Sequence, residues 1–340
     1  CGYYKQDDRS KEGGDRGETK YWIVMSKVLI IGNGFDLDLG LKTRYIDFWR
    51  SDIFEEYRNH YSYGGLVSFL NSKANDSSTW FDIESLLREF VHLDQNHSSI
   101  YSHVSENEHS NTKEEFEKIR ESLSSYLEVQ VSHQKLNESS AAAQVLRAFV
   151  ALDSAIIYTF NYTDLYKIAE KLLITEQFDY KDVHGRSSNK SLILGINDEV
   201  DVVNNYEFAY KTFSPYYHSV PLKFDLEEAN DVIIFGLAMG DIDYPYFQDF
   251  FRKLCDPENS RKNAKRVTIF TYDEASRMNI LRQLRAMNEK RVNYMFGQNQ
   301  FEFIRTGVES DKYKLTRFLR RLTEEVKEKQ KHLEHKLMMS

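Results

Sequence analysis

The sequence holds only two cysteines, Cys1 and Cys255, in 340 residues. Two thiols so far apart cannot build a disulfide framework or a thiolate zinc site. Their scarcity points to a reducing, cytoplasmic setting and to a protein without zinc. No apolar run approaches the roughly 20 residues that span a bilayer, so no membrane is expected as a partner. A surplus of basic charge is also missing, because 45 Lys and Arg stand against 53 Asp and Glu, a formal net charge of −8. A general nucleic-acid binder needs the opposite balance, and nucleic acid is not an expected partner. The opening stretch from Cys1 to Lys20 is polar and lacks the apolar segment of a signal peptide. Residues 1–24 are expected to be a disordered extension or a start-site artefact, with Met25 as the initiator.

What the chain has in quantity is aromatic volume, with 22 Tyr and 22 Phe inside a hydrophobic fraction of 41%. That composition suits a globular core and argues against wholesale disorder. Val28-Leu29-Ile30-Ile31 is a short continuous apolar run, the pattern of a strand buried on both faces. Ala155–Phe160, Ser191–Leu194, Asp231–Phe235 and Val267–Thr271 look alike, and each leads through a turn into sequence of helical character. Recurring strand-turn-helix units predict an α/β fold with a mostly parallel, doubly wound, Rossmann-like sheet.

More than a hundred residues separate the first two strands, too many for one crossover. Residues 45–150 show helical spacing, as in Ile83, Leu86, Leu87, Phe90 and Phe116, Ile119, Leu123, Leu127, while Asn71–Thr79 and His103–Lys113 read as loops. The block is expected to be a large helical insertion over one end of the sheet, serving as a lid or, more commonly, as plain packing. Lys312–Lys336 reads as a charged helix docked by Leu315, Phe318, Leu319 and Leu322. The expected division is a nucleotide-binding α/β domain over 25–310, insertion included, and a C-terminal helix over 311–340.

Four clusters could carry chemistry. Gly32-Asn33-Gly34 follows the first strand, where glycines permit a tight turn and let backbone N–H groups approach a phosphate at a helix N-terminus. The third glycine of the dinucleotide fingerprint is replaced by Leu37, so the loop is either a ligand cradle or a tight turn. Asp36 repels phosphate and suits a helix cap or a ribose hydroxyl. Phe160-Asn161-Tyr162-Thr163-Asp164 lies at a strand's carboxyl end, where open α/β sheets bind ligands, although Asn161 and Asp164 also suit capping. His184-Gly185 offers a proton-transfer group beside a residue that lets a ligand come close. Phe235-Gly236-Leu237-Ala238-Met239-Gly240-Asp241-Ile242-Asp243 is a second glycine loop, whose Asp241 and Asp243 suit a hydrated Mg²⁺, a ribose contact or a cap. Trp80, Asp82 and Glu84 read as a helix start, with acidic side chains in its first turn. His332 and His335 lack a third ligand, and no metal site is assigned.

The segments GNGFD and GLKTRYIDF within Leu29–Phe48, then WFDIE, FNYTD, HG and FGLAMGDIDYPYF, resemble in order and spacing the abortive-infection AbiH family. The resemblance runs from Lys27 to about Gly297 and implies a phage-defence protein. A fainter similarity links the chain to the sirtuin-like nucleotide-binding fold. Gly32, Gly34 and Gly40 match its opening glycines, with Asp36 where that fold has serine. Asn161 and Asp164 match its Asn and Asp, and His184-Gly185 its catalytic His-Gly. The resemblance implies NAD or a related nucleotide as substrate or ligand. Asn161, His184 and Asp164 are then the catalytic group, and Gly32, Asn33, Gly34, Asp36, Gly40, Thr43, Gly236 and Asp243 the nucleotide contacts. The chain lacks the sirtuin zinc cysteines and carries Leu237-Ala238 where AbiH proteins commonly have His-Ser. Hydrolysis at the nicotinamide–ribose bond is the expected activity; the alternatives are a non-catalytic nucleotide sensor and, more weakly, a metal-dependent phosphohydrolase. A phage or host protein trigger and a homo-oligomer are the further partners this implies.

Overall fold

The computed structural model describes residues 27–60, 65–76, 81–96, 106–152, 155–202, 204–256 and 264–339. The extension expected over 1–24, Met25 and Trp80 lie outside the described residues, as do the side chains of His332 and His335. Among the described residues six strands form one sheet: β1 (Lys27–Ile31), β2 (Ala155–Thr159), β3 (Tyr180–Asp182), β4 (Asp231–Phe235), β5 (Arg266–Thr271) and β6 (Gln300–Arg305). Their order is β3-β2-β1-β4-β5-β6, and every neighbouring pair is parallel. This is the doubly wound Rossmann order, in which the winding reverses between β1 and β4 and opens a crevice beyond their carboxyl ends.

Helix α1 (Asn33–Asp38) follows β1 directly. The chain then passes through α2 (Tyr45–Trp49), α3 (Asp52–His60), α4 (Gly65–Ala74), α5 (Ile83–Asn96), α6 (Glu106–His133) and α7 (Ala141–Val150) before entering β2. Helix α8 (Leu165–Lys171) precedes β3, α9 (Leu222–Glu228) precedes β4 and α10 (Tyr244–Leu254) precedes β5. Helices α11 (Glu274–Met287) and α12 (Val292–Gln298) lead to β6, and α13 (Lys312–Met339) closes the chain.

Strand alternation sorts the core. Leu29 and Ile31 of β1 face a cluster filled by α1, α7, α8 and α13, while Val28 and Ile30 face a second cluster filled by α9 to α12. Both faces of β1 and β4 are covered, which is why their sequences read as unbroken apolar runs. A third cluster joins α2 to α6 through Phe48, Trp49, Phe54, Leu70, Leu87 and Ile119. Helix α7 belongs to the sheet instead, with Val145, Leu146 and Phe149 against the face of β1. Helix α13 docks through buried Phe318 and Leu322, flanked by Leu315 and Leu319. No helix among the described residues is long and apolar enough to cross a membrane.

Three elements differ from expectation. Ser191–Leu194 is not a strand. Its Leu192 and Leu194 pack into the third cluster, and the Ile193 N–H donates to the His184 carbonyl rather than to a ladder. Asn71–Ala74 continues α4, because Leu66, Val67, Leu70 and Ala74 form one buried helical stripe. Glu106–Lys113 is likewise helical, a polar lead-in to the buried run of Phe116, Ile119 and Leu123. Strands β3 and β6 close the two edges, where half-burial removes the apolar run that marks a central strand.

If Leu194 serves the insertion's core as this packing states, Leu194→Ala should cost about 2–5 kcal/mol of stability. Urea unfolding of the variant measures it. A loss below about 1 kcal/mol would mean that the 191–194 segment is held by its backbone alone.

Candidate functional site

The carboxyl ends of β1, β2, β3 and β4 lie side by side, and each runs into one of the loops singled out from the sequence. The loop after β1 rests backbone to backbone on the loop after β4. Gly32 N–H donates to the Phe235 carbonyl at 2.9 Å and Gly34 N–H to the Gly236 carbonyl at 2.8 Å. A Cβ on Gly34 would stand 2.6 Å from Gly236 Cα, and Gly236 itself has φ of +66°. These glycines are required by the close approach of two loops, and two N–H groups expected to face a phosphate are engaged within the protein. Asn33 remains at the surface, where its amide oxygen accepts the Thr43 hydroxyl. Gly40, at φ +90°, turns the chain out of α1 toward Thr43.

Asp36 lies behind this loop, 1% exposed. One carboxylate oxygen accepts from Asn161 Nδ2 at 2.8 Å and the other from the Thr163 hydroxyl at 2.8 Å. Asn161 Nδ2 also donates to the Gly32 carbonyl at 3.0 Å. The loops after β1 and β2 are thus tied by one buried carboxyl. Asp164 faces the other way: it caps α8 by accepting from Tyr166 N–H and also takes the Ser188 and Tyr180 hydroxyls. Burial pushes its pKa up, but the Ser188, Tyr166 and Tyr180 hydrogen bonds outweigh that and hold it below the usual carboxylate range. Asp36, rather than Asp164, holds Asn161.

His184 follows β3 and is buried between the rings of Phe160, Tyr162 and Tyr246, at centroid distances of 5.3, 6.2 and 6.0 Å. Its Nε2 lies 3.3 Å from Lys211 Nζ. Burial, and then the neighbouring ammonium, hold the imidazole well below its ordinary pKa, and it is neutral. A backbone hydrogen bond with Phe160 acts the other way, favouring the protonated ring. Gly185, at φ +71°, is obligatory here, because a Cβ would strike the Ser191 carbonyl oxygen at 1.8 Å.

Lys211 carried no signal as a motif, although it is the lone charge in the apolar stretch Phe208-Ala209-Tyr210-Lys211-Thr212-Phe213. It is buried and ion-paired to Glu84 at 3.0 Å. Glu84 was legible only as a first-turn acid of α5, and Asp82 does cap that helix. Glu84 also accepts from Gly195 N–H at 3.2 Å and Tyr162 OH at 3.3 Å, and Tyr45 OH adjoins Tyr162 OH at 3.5 Å. Half-buried Asp243 completes the surroundings; burial lifts its carboxyl to about 7, against the pull of Lys211. Asp241 instead points outward, 3.8 Å from Arg88. No group of three or more His, Cys, Asp or Glu among the described residues could hold a metal ion. Leu237-Ala238 leads into buried Met239 at φ +51°, a left-handed conformation that costs a non-glycine residue about 1 kcal/mol or more.

The family model described as "Bacteriophage abortive infection AbiH" matches residues 28–263, a span that includes all four loops and Lys211. No curated protein matches the chain.

Burial lifts the Asp36 carboxyl to about 7, opposed by its hydrogen bonds from Thr163 and Asn161. A folded-state pKa above the unfolded one favours the fold most at low pH, and that contribution is lost as pH rises toward 7. Asp36→Asn removes the dependence. Its stability relative to wild type should therefore rise by roughly 2–3 kcal/mol between pH 5 and pH 8. Urea unfolding across that range is the measurement, and a pH-independent difference would contradict the assignment.

Proposed function

The chain belongs to the bacteriophage abortive-infection AbiH family, and from that premise we propose that it acts in phage defence by binding NAD or a related nucleotide and hydrolysing its nicotinamide–ribose bond. One observation supports this most. Asn161, tied by Asp36 and the Gly32 carbonyl to the switch-point loop after β1, lies in the chain between Phe160 and Tyr162, whose rings both flank His184. The match of these residues to the sirtuin-like pattern is consistent with the same reading.

In the proposed reaction the bond between the pyridinium nitrogen and ribose C1′ breaks, and its electron pair stays with nicotinamide. Water oxygen bonds to C1′ through an oxocarbenium-like state, and one water proton is released. With Asn161 Nδ2 held by Asp36 and the Gly32 carbonyl, the amide oxygen is its group for orienting the water or the ribose. His184 Nε2, whose one lone pair the Lys211 ammonium occupies at 3.3 Å, would take the proton on release of that contact. Asp164 holds the turn bearing Asn161 through its cap. Asn33, Gly40 and Thr43 would lie along the phosphates beside Gly32 and Gly34. Gly236 and Asp243 would close the ribose side.

A second reading, a non-catalytic nucleotide sensor answering to a phage or host protein, is favoured by how fully these groups are engaged. Both glycine N–H groups, the Asn161 amide protons and His184 Nε2 already have partners within the chain.

Incubation of the pure protein with NAD, with and without Mg²⁺, followed by chromatography for nicotinamide, separates the readings. Hydrolysis predicts nicotinamide release, lowered about 10²–10⁴-fold in His184→Ala with NAD affinity changed only a few-fold. NAD binding without release supports the sensor. Neither binding nor release would overturn both.

A further inference from the structure

We propose that Lys211, seated on Glu84, is the positioning residue that fixes the tautomer and charge of His184, so that helix α5 of the insertion governs the chemistry at the strand ends. This rests on the reading of His184 as the basic group of the site. The ammonium reaches His184 Nε2 at 3.3 Å and Glu84 at 3.0 Å, and all three side chains are buried. An ammonium has three donors and no acceptor, so whatever it meets must present a lone pair. At Nε2 that requires the imidazole proton to sit on Nδ1. The ammonium therefore selects the Nδ1-protonated form.

The backbone is shaped to deliver this contact. Lys211 N–H donates to the Ile196 carbonyl at 3.0 Å and Ile196 N–H to the Ala209 carbonyl at 2.8 Å. Gly195, at φ +153°, allows the crossing, since a Cβ there would lie 2.3 Å from the Ala209 oxygen. Its freed N–H is the one that donates to Glu84. The charged and titratable groups around His184 come from every neighbouring element: Tyr162 after β2, Lys211 itself, Tyr246 of α10, and Glu84, Asp82 and Asp243 beyond the ammonium. Among the described residues Lys211 is the cation that adjoins the ring. A buried cation of this kind is tolerated because Glu84 neutralises it, and it leaves a local electrostatic penalty on any second positive charge.

The test is a ¹H–¹⁵N spectrum of the histidine ring nitrogens, titrated from pH 8 down to the acid limit of the folded state, in wild type, Lys211→Met and Lys211→Gln, with no nucleotide present. Wild type should show His184 as the Nδ1-protonated tautomer, protonating only well below the ordinary histidine range. Lys211→Gln, which retains an N–H donor without the charge, should keep that tautomer but raise the His184 pKa by about one unit or more. Lys211→Met should lose the tautomer preference as well. An Nε2-protonated ring in wild type, or His184 behaviour unchanged in Lys211→Gln, overturns the proposal, and neither result depends on whether Lys211→Met folds. Failure of wild type to cleave NAD would sink the proposed reaction while leaving the Lys211–His184 coupling standing.

Discussion

Asp36 carries a carboxyl group that water barely reaches, and its two oxygens bind two different loop side chains. Burying such a group without partners would cost several kcal/mol, so Asn161 and Thr163 are not optional neighbours. Their attachment fixes the turn after β2 against the turn after β1. Asn161 then reaches back to the Gly32 carbonyl, and Gly32 and Gly34 lean on the loop after β4. Three loops are thereby locked by one carboxyl and a backbone contact that only glycine allows. His184 joins from β3 through Phe160, to which it is bound by ring contact and by a backbone hydrogen bond.

The second constraint is electrostatic and comes from the insertion. Glu84 and Lys211 form an ion pair in the interior, where pairing offsets desolvation only when the remaining donors and acceptors are also satisfied. Tyr162, Gly195 and His184 supply those partners. Burial pushes the Glu84 pKa up, Lys211 draws it back and Asp82 adds to the rise. The cluster joins α5, the segment before the 3-10 turn at Lys211 and the loop after β3, so the helical insertion is wired to the sheet through charge as well as through apolar packing.

Much of the frame was readable from residues. The apolar runs at β1, β4 and β5 identify strands covered on both faces, and Gly32, Asn161, His184 and Gly236 fall where strands end. The edges were not readable: Tyr180-Lys181-Asp182 is too short and polar, and Gln300–Arg305 is half-exposed, so neither carries an interior strand's pattern. Ser191–Leu194 misled for the converse reason, since its leucines serve the insertion's core rather than a ladder. The partners of Asn161 and His184 come from 125 and 27 residues away, at Asp36 and Lys211. Local spacing holds no record of such pairings. A lone Lys among aromatics and an Asp at the serine position of a glycine loop were their only traces.

In the proposed function these loops form one nucleotide site with His184 at its heart. Addition of saturating NAD to protein labelled with ¹⁵N at histidine tests it most directly, with the ring resonances of His184 as the reporter. They are expected to shift, because a nucleotide held by these loops must disturb the imidazole or the ammonium that holds it. Bound NAD with His184 resonances unmoved would place the nucleotide elsewhere and contradict the account.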